Sequence, residues 1–176
     1  MIPARVLLRA GSWSGAAVDR LALDYEARFL RRKRLVTAGG LDLLVDLPEA
    51  VSLNTGDALE TEDGRRVEIA AAPEPLLQIT GPDLVRLAWH IGNRHTPCQI
   101  EAGRLLIRRD HVLADMLARL GATLAEIEAP FSPEGGAYGH GRTFGHDHGP
   151  GPGPGPETGA GHTHDHSHDH GHGHAH

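Results

Sequence analysis

The stretch "PEPLLQITGPDLVRLAWHIGNRHTPCQIEAGRLLIRRDHVLADMLARLGATLAEIEA", residues 73–129, decides the fold. Two hydrophobic periods alternate along it. "LLQIT" is a short apolar run of strand type. In "GPDLVRLAWHIGNRH" the residues Leu84, Leu87, Ala88 and Ile91 recur at i, i+3, i+4 and i+7, the period of a helix, and Pro82 suits its first turn. "PCQIEAGRLLIRR" reads as two strands about Ala102-Gly103. "DHVLADMLARLG" is a second helix, with Asp110 as N-cap, Gly121 as C-cap and Val112, Leu113, Met116, Leu117 and Leu120 apolar. "TLAEIEA" closes as a strand. The order is β-α-β-β-α-β, the ferredoxin-like arrangement.

Upstream, no segment before Pro73 keeps a helical period over three turns. "ARVLLRA" and "DRLALDY" read as strands. "RLVTAGGLDLLVDL" gives a hairpin about Gly39-Gly40, and "NTGDALETEDGRRVEIAAA" gives another about Asp63-Gly64. "PEP", Pro73 to Pro75, punctuates the chain between this part and the next. The fold class expected is therefore α+β. A small all-β domain (1–73) is followed by a ferredoxin-like βαββαβ domain (74–131) and a disordered His-rich tail (132–176). The tail is assigned on composition: Gly and Pro crowd into it, and few apolar residues remain to offset its ordering entropy.

The formal charge of −6 lies mostly in the tail, which disfavours nucleic-acid binding. "RFLRRKRL", Arg28 to Leu35, is the one dense basic run. It reads as the solvated face of a strand, with a docking patch for an acidic partner as the lesser alternative. Cys98 is the only cysteine, so no intrachain disulfide can form. The N-terminal apolar run is too short for a signal peptide and no stretch could span a membrane, so a cytoplasmic protein is expected.

Histidine carries the chemistry. His162, His164, His166, His168, His170, His172, His174 and His176 alternate to the last residue, and His140, His146 and His148 precede them. Imidazole suits Ni(II), Zn(II) and Cu(II), and Cu(II) binds such ligands tightest. A purification tag is normally an unbroken run, whereas this one is interleaved with Asp, Gly, Thr and Ser. Three histidines lie outside the tail. His90 falls off the apolar stripe of the first helix. His95 extends that stripe by four residues if the helix runs so far, and can be a satisfied interface residue or a ligand. His111 follows the N-cap Asp110 and reads as a solvent-facing first-turn residue. No HExxH or comparable motif supports a metallohydrolase built on His95, His111 and Asp110. An RNA-binding module of this fold needs aromatic residues on its central strands, and "PCQIEAGRLLIRR" has none.

Taken in order, "RRKRLVTAGGLDLLVDLP", "LNTGDALETEDGRRVEIAAAPEPLL", "HIGNRHTP", "DHVLADML" and "PFSPEGGAYGHG" resemble the UreE-type urease accessory proteins over nearly the whole chain. The resemblance implies a nickel metallochaperone, not an enzyme: a homodimer that carries Ni(II) as cargo for maturation of urease. The implied partners are the urease apoprotein and its accessory proteins, especially the accessory GTPase. It further implies a peptide-binding N-terminal domain and a C-terminal domain that dimerises and binds metal. His95, in the GNRH motif, would supply one ligand from each subunit, with tail histidines adding capacity or further ligands. Some relatives flank the aspartate before the second helix with two histidines. Here His111 keeps one position and Arg109 takes the other, which weakens any lateral site. Cys98, three residues past His95, reads as a small buried residue, with a soft-metal thiolate as the alternative. A rival reading is a His-rich zinc or nickel buffer without a delivery role.

Overall fold

The computed structural model describes residues 1–135. Its first part is all strand, as the sequence suggests: β1 (Ile2–Leu8), β2 (Asp19–Leu23), β3 (Phe29–Val36), β4 (Asp42–Ser52), β5 (Ala58–Thr61) and β6 (Arg66–Ala71). They form one six-stranded sheet in the order β2-β6-β5-β1-β4-β3. Both expected hairpins are present, β3 with β4 and β5 with β6, and both pairs are antiparallel. Gly40 and Gly64 take positive φ in their turns, where a Cβ would be strained. Two pairings are parallel and join distant strands, β1 with β4 and β2 with β6. Alternate residues point inward, so Leu21 and Leu23 at one end of the sheet share a core with Leu43, Val45 and Leu47 near the other.

The second part is β7 (Pro73–Thr80), α1 (Leu84–Gly92), β8 (Gln99–Glu101), β9 (Arg104–Arg108), α2 (His111–Arg119) and β10 (Thr123–Pro130). Its four-stranded sheet runs β10-β7-β9-β8, antiparallel throughout. The helices cover one face, where Leu77, Ile79, Leu105 and Ile107 meet Leu87, Ile91, Leu113 and Leu117. "PEP" is not a break between parts but the start of β7. Its prolines are tolerated because β9 joins β7 only from Leu76 onward, so neither removes a bond from that ladder. Pro82 sits one residue before the N-cap of α1, which is Asp83. Val112 lies on the outward side of α2, 63% exposed, rather than in the apolar stripe.

On the opposite face of this sheet Leu76 and Leu106 pack against Phe131, which is fully buried. The first part reaches across to the same place. Tyr25 meets Phe131 edge-on at 5.4 Å, the Arg28 guanidinium donates to the Phe131 carbonyl, and Glu26 pairs with Arg108 at 2.6 Å. Arg28 thus departs from the basic run's solvated character, being buried, while Arg32 and Arg34 face solvent and pair with Asp46 and Asp42 on β4. Among the described residues no helix is long and apolar enough to cross a membrane.

Candidate metal centre

α1 stops before it reaches His95. Its last turns tighten from Asn93 N–H donating to the Trp89 carbonyl (3.0 Å) to bonds spanning only three residues: Arg94 N–H to the Ile91 carbonyl (3.0 Å) and His95 N–H to the Gly92 carbonyl (2.9 Å). Gly92 weakens the helix, and Pro97 biases Thr96 away from helical angles. His95 therefore does not extend the apolar stripe. It sits in the turn with φ +54, the one non-glycine residue of positive φ among those described, and its side chain is exposed. Histidine is among the few residues that adopt this conformation with some frequency. The backbone, rather than a helix face, turns the imidazole outward.

The other candidates fall elsewhere. His90 is half-buried, its ring edge-on to Trp89 at 4.9 Å, and its carbonyl accepts from Arg94 Nη1 at 3.0 Å. His111 is the first residue of α2 and is exposed. The Asp110 carboxylate beside it caps the helix, accepting from Val112 N–H at 2.8 Å and Leu113 N–H at 3.0 Å. Arg109 is drawn away to Glu126 at 3.0 Å. Cys98 packs against the helix-side core, and burial, with the charge of Glu134 second, pushes its thiol up to about 11. The protonated thiol that results near neutral pH is a poor metal ligand. Among the described residues no three His, Cys, Asp or Glu side chains converge on a metal position. His140, His146, His148 and the eight histidines from His162 to His176 lie outside the described residues.

Next to the His95 turn the structure places contacts that sequence reasoning did not anticipate. Ser132 N–H donates to Gln99 Oε1 at 2.7 Å, and Glu134 N–H donates to the Cys98 carbonyl at 2.9 Å. The chain is thus still bonded to the sheet beyond the point where composition places the start of the tail. The only signal for this was an aromatic, Phe131, standing at the edge of a Pro/Gly-rich segment. On α1, Val85 and Trp89 lie four residues apart on the outward face, 83% and 62% exposed.

Comparison with known proteins matches both parts of the chain, in order. Residues 2–72 match the family model of the UreE urease accessory protein N-terminal domain, and residues 74–176 match that of its C-terminal domain. A urease accessory protein UreE from Ruegeria pomeroyi is 63% identical over 144 residues, covering 82% of this chain and 96% of its own. One from Rhodobacter capsulatus is 65% identical over 142 residues, covering 81% and 90%. A third, from Cereibacter sphaeroides, is 61% identical over 145 residues, covering 82% and 79%. With both parts matched in order and at this identity, the chain belongs to the UreE family of urease accessory proteins.

Proposed function

We propose that this protein is a nickel metallochaperone that carries Ni(II) to the urease maturation machinery, and that His95 is the ligand at the point of delivery. It is an accessory protein and not an enzyme; the metal is cargo. The observation that carries the site is the exposed His95 imidazole, presented by a left-handed turn at the end of α1. One histidine cannot hold a divalent ion, so the other ligands come from elsewhere. A homodimer contact along the outward face of α1 would bring two copies of His95 to a twofold axis. Exposed Val85 and Trp89 support that contact, since large apolar side chains clustered on a surface mark interaction sites.

In this reading residues 1–73 form a partner-binding β domain, residues 74–131 a ferredoxin-like metal-binding and dimerisation domain, and residues 132–176 a His-rich metal-gathering tail. The strand order of the second sheet favours the ferredoxin-like assignment. Tail histidines gather ions and complete the shell at the axis. The resulting site is open and built of imidazole, suited to release rather than to the permanent hold of a closed thiolate set. Zn(II) and Cu(II) bind the same ligands, so selection for nickel comes from supply and partner. His111 is at best a weak lateral ligand: it lies at the positive end of α2, where a bound cation is disfavoured. The receiving partner is the accessory GTPase acting on urease apoprotein, in the cytoplasm.

The test is transfer. Urease apoprotein and its other accessory proteins are supplied with limiting nickel bound to this protein, wild type or His95→Ala. Delivery through His95 predicts activation by the wild type and little by the variant. Equal activation by both would return the tail to a storage role and remove His95 from the mechanism.

A further inference from the structure

We infer that residues 131–134 buttress the turn that presents His95, with Gln99 and the backbone N–H of Glu134 as the positioning groups. The inference rests on the reading of His95 as a nickel ligand and extends it to what keeps that ligand in place. A non-glycine residue at φ +54 keeps its conformation only where the chain on both sides of it is fixed. Residues 92–95 are all exposed, so packing contributes little there. On the α1 side the fixing is direct: His95 N–H donates to the Gly92 carbonyl at 2.9 Å, and Arg94 Nη1 donates to the His90 carbonyl at 3.0 Å. On the other side only Thr96 and Pro97 separate His95 from Cys98, and β8 begins at Gln99.

β8 is a weak anchor by itself. It has three residues and lies at the sheet edge, with β9 as its one strand neighbour among the described residues. Residues 131–134 add the missing hold. The chain leaves β10 at Pro130, on the opposite edge, and by Glu134 it is bonded to Cys98. Three strand spacings are about 14 Å and four extended residues span about the same distance, so the crossing has no slack. Phe131 pins its start: the ring is fully buried on Leu76 and Leu106, and the Arg28 guanidinium donates to the carbonyl. Its end makes two bonds, Ser132 N–H to Gln99 Oε1 at 2.7 Å and Glu134 N–H to the Cys98 carbonyl at 2.9 Å. Gln99 is held in turn through its Nε2 on Glu101 at 2.7 Å, and the Cys98 side chain packs on the helix-side core.

The size of the effect follows from two factors. A left-handed conformation is disfavoured for an L-residue about fivefold or more, and one net hydrogen bond shifts a local equilibrium about two- to tenfold. The bonds at Cys98 and Gln99 are therefore strong enough to decide how often the turn keeps its shape. Affinity for a conformation that is only partly populated falls in proportion to that population.

The test uses the full-length chain with every histidine except His90, His95 and His111 replaced by alanine, so that nickel reports on those three alone. Glu134→Pro removes the N–H that bonds Cys98, and Gln99→Ala removes the acceptor of Ser132. Glu134→Ala keeps the N–H and is the conservative control. Exchange of the His95 amide is followed by NMR, with the Leu120 amide, bonded to the Met116 carbonyl at the end of α2, as reference. Ni(II) binding is measured by calorimetry and dimerisation by sedimentation. In Glu134→Pro and Gln99→Ala the His95 amide should exchange about two- to tenfold faster and nickel affinity should fall by about the same factor. Leu120 exchange and dimerisation should not change, and Glu134→Ala should match the parent. Parent-like exchange at His95 in both variants overturns the buttress. So does faster exchange with undiminished nickel affinity, or equal acceleration at Leu120. Nickel binding unchanged by His95→Ala in the same background overturns the underlying reading instead.

Discussion

His95 occupies a backbone conformation that costs an L-residue roughly 1 kcal/mol and that glycine adopts freely. A non-glycine residue held at that backbone cost marks a position where a side chain is needed. His95→Gly should relieve that backbone cost of about 1 kcal/mol, set against the loss of the ring's own contacts, while nickel binding at this residue is lost. Urea unfolding beside nickel titration checks both; a clear loss of stability would mean that the ring packs for structure. A second residue carries a pH prediction. Glu74 is buried where the two parts meet, and its carboxylate accepts from Tyr25 N–H at 2.8 Å. Burial raises its pKa, Tyr25 N–H opposes this, Asp24 adds to it, and Arg108 and Arg28 oppose it. The folded state thus holds a proton that the unfolded state has released, so stability falls as pH rises from about 4.5 through the raised value. Glu74→Gln keeps the acceptor and should remove that part of the slope; unfolding at several pH values compares the two proteins. At this scale the sequence made His95 conspicuous through its motif, but not its conformation. Whether a helix runs to residue 95 depends on how its last turn closes, which apolar spacing does not encode.

α2 shows how far local signals go at the scale of an element. Asp110 caps it as expected, and Gly121, φ +87, follows the last turn in a two-bond closure: its N–H donates to the Ala118 carbonyl at 3.0 Å, and Ala122 N–H to the Leu117 carbonyl at 3.1 Å. A Cβ on Gly121 would meet nothing within 4 Å, so Gly121→Ala isolates the backbone cost, about 1 kcal/mol. Asp110→Ala should cost about 1 kcal/mol through the lost cap. Thermal unfolding of both variants checks this, and a loss well beyond that range would show that the α2 ends do more than close a helix. The hairpins at Gly40 and Gly64 were legible for the same reason: turn residues act on their neighbours. The parallel pairings of β1 with β4 and β2 with β6 were not, because no local residue specifies a partner so distant in sequence. The start of β7 was misjudged because a proline's tolerance depends on where the neighbouring strand begins.

At the scale of the whole molecule, the proposed division of labour is between residues 1–135, which hold the buried core, and the histidine-rich sequence that follows them. Every buried apolar residue among those described lies at or before Phe131. Ending the chain after Gly135 keeps Phe131, Ser132 and Glu134, so thermal stability without metal should hardly change, while nickel bound per chain falls sharply. Nickel held by the tail should also drop as pH is lowered through about 6.5 toward 5, because protonated imidazole cannot ligate. The order of an all-strand part followed by a sheet with two helices was legible in hydrophobic period. The contacts of residues 131–134 were not, because Phe131 becomes informative only once Leu76 and Leu106 are known to face it. The central claim is that His95, paired by symmetry, holds the nickel to be delivered. The measurement is nickel titration calorimetry of the chain ended after Gly135, as wild type and as His95→Ala, with sedimentation to confirm that both are dimers. The account predicts a single nickel per dimer for the first and none for the second. Undiminished nickel binding by dimeric His95→Ala would contradict it.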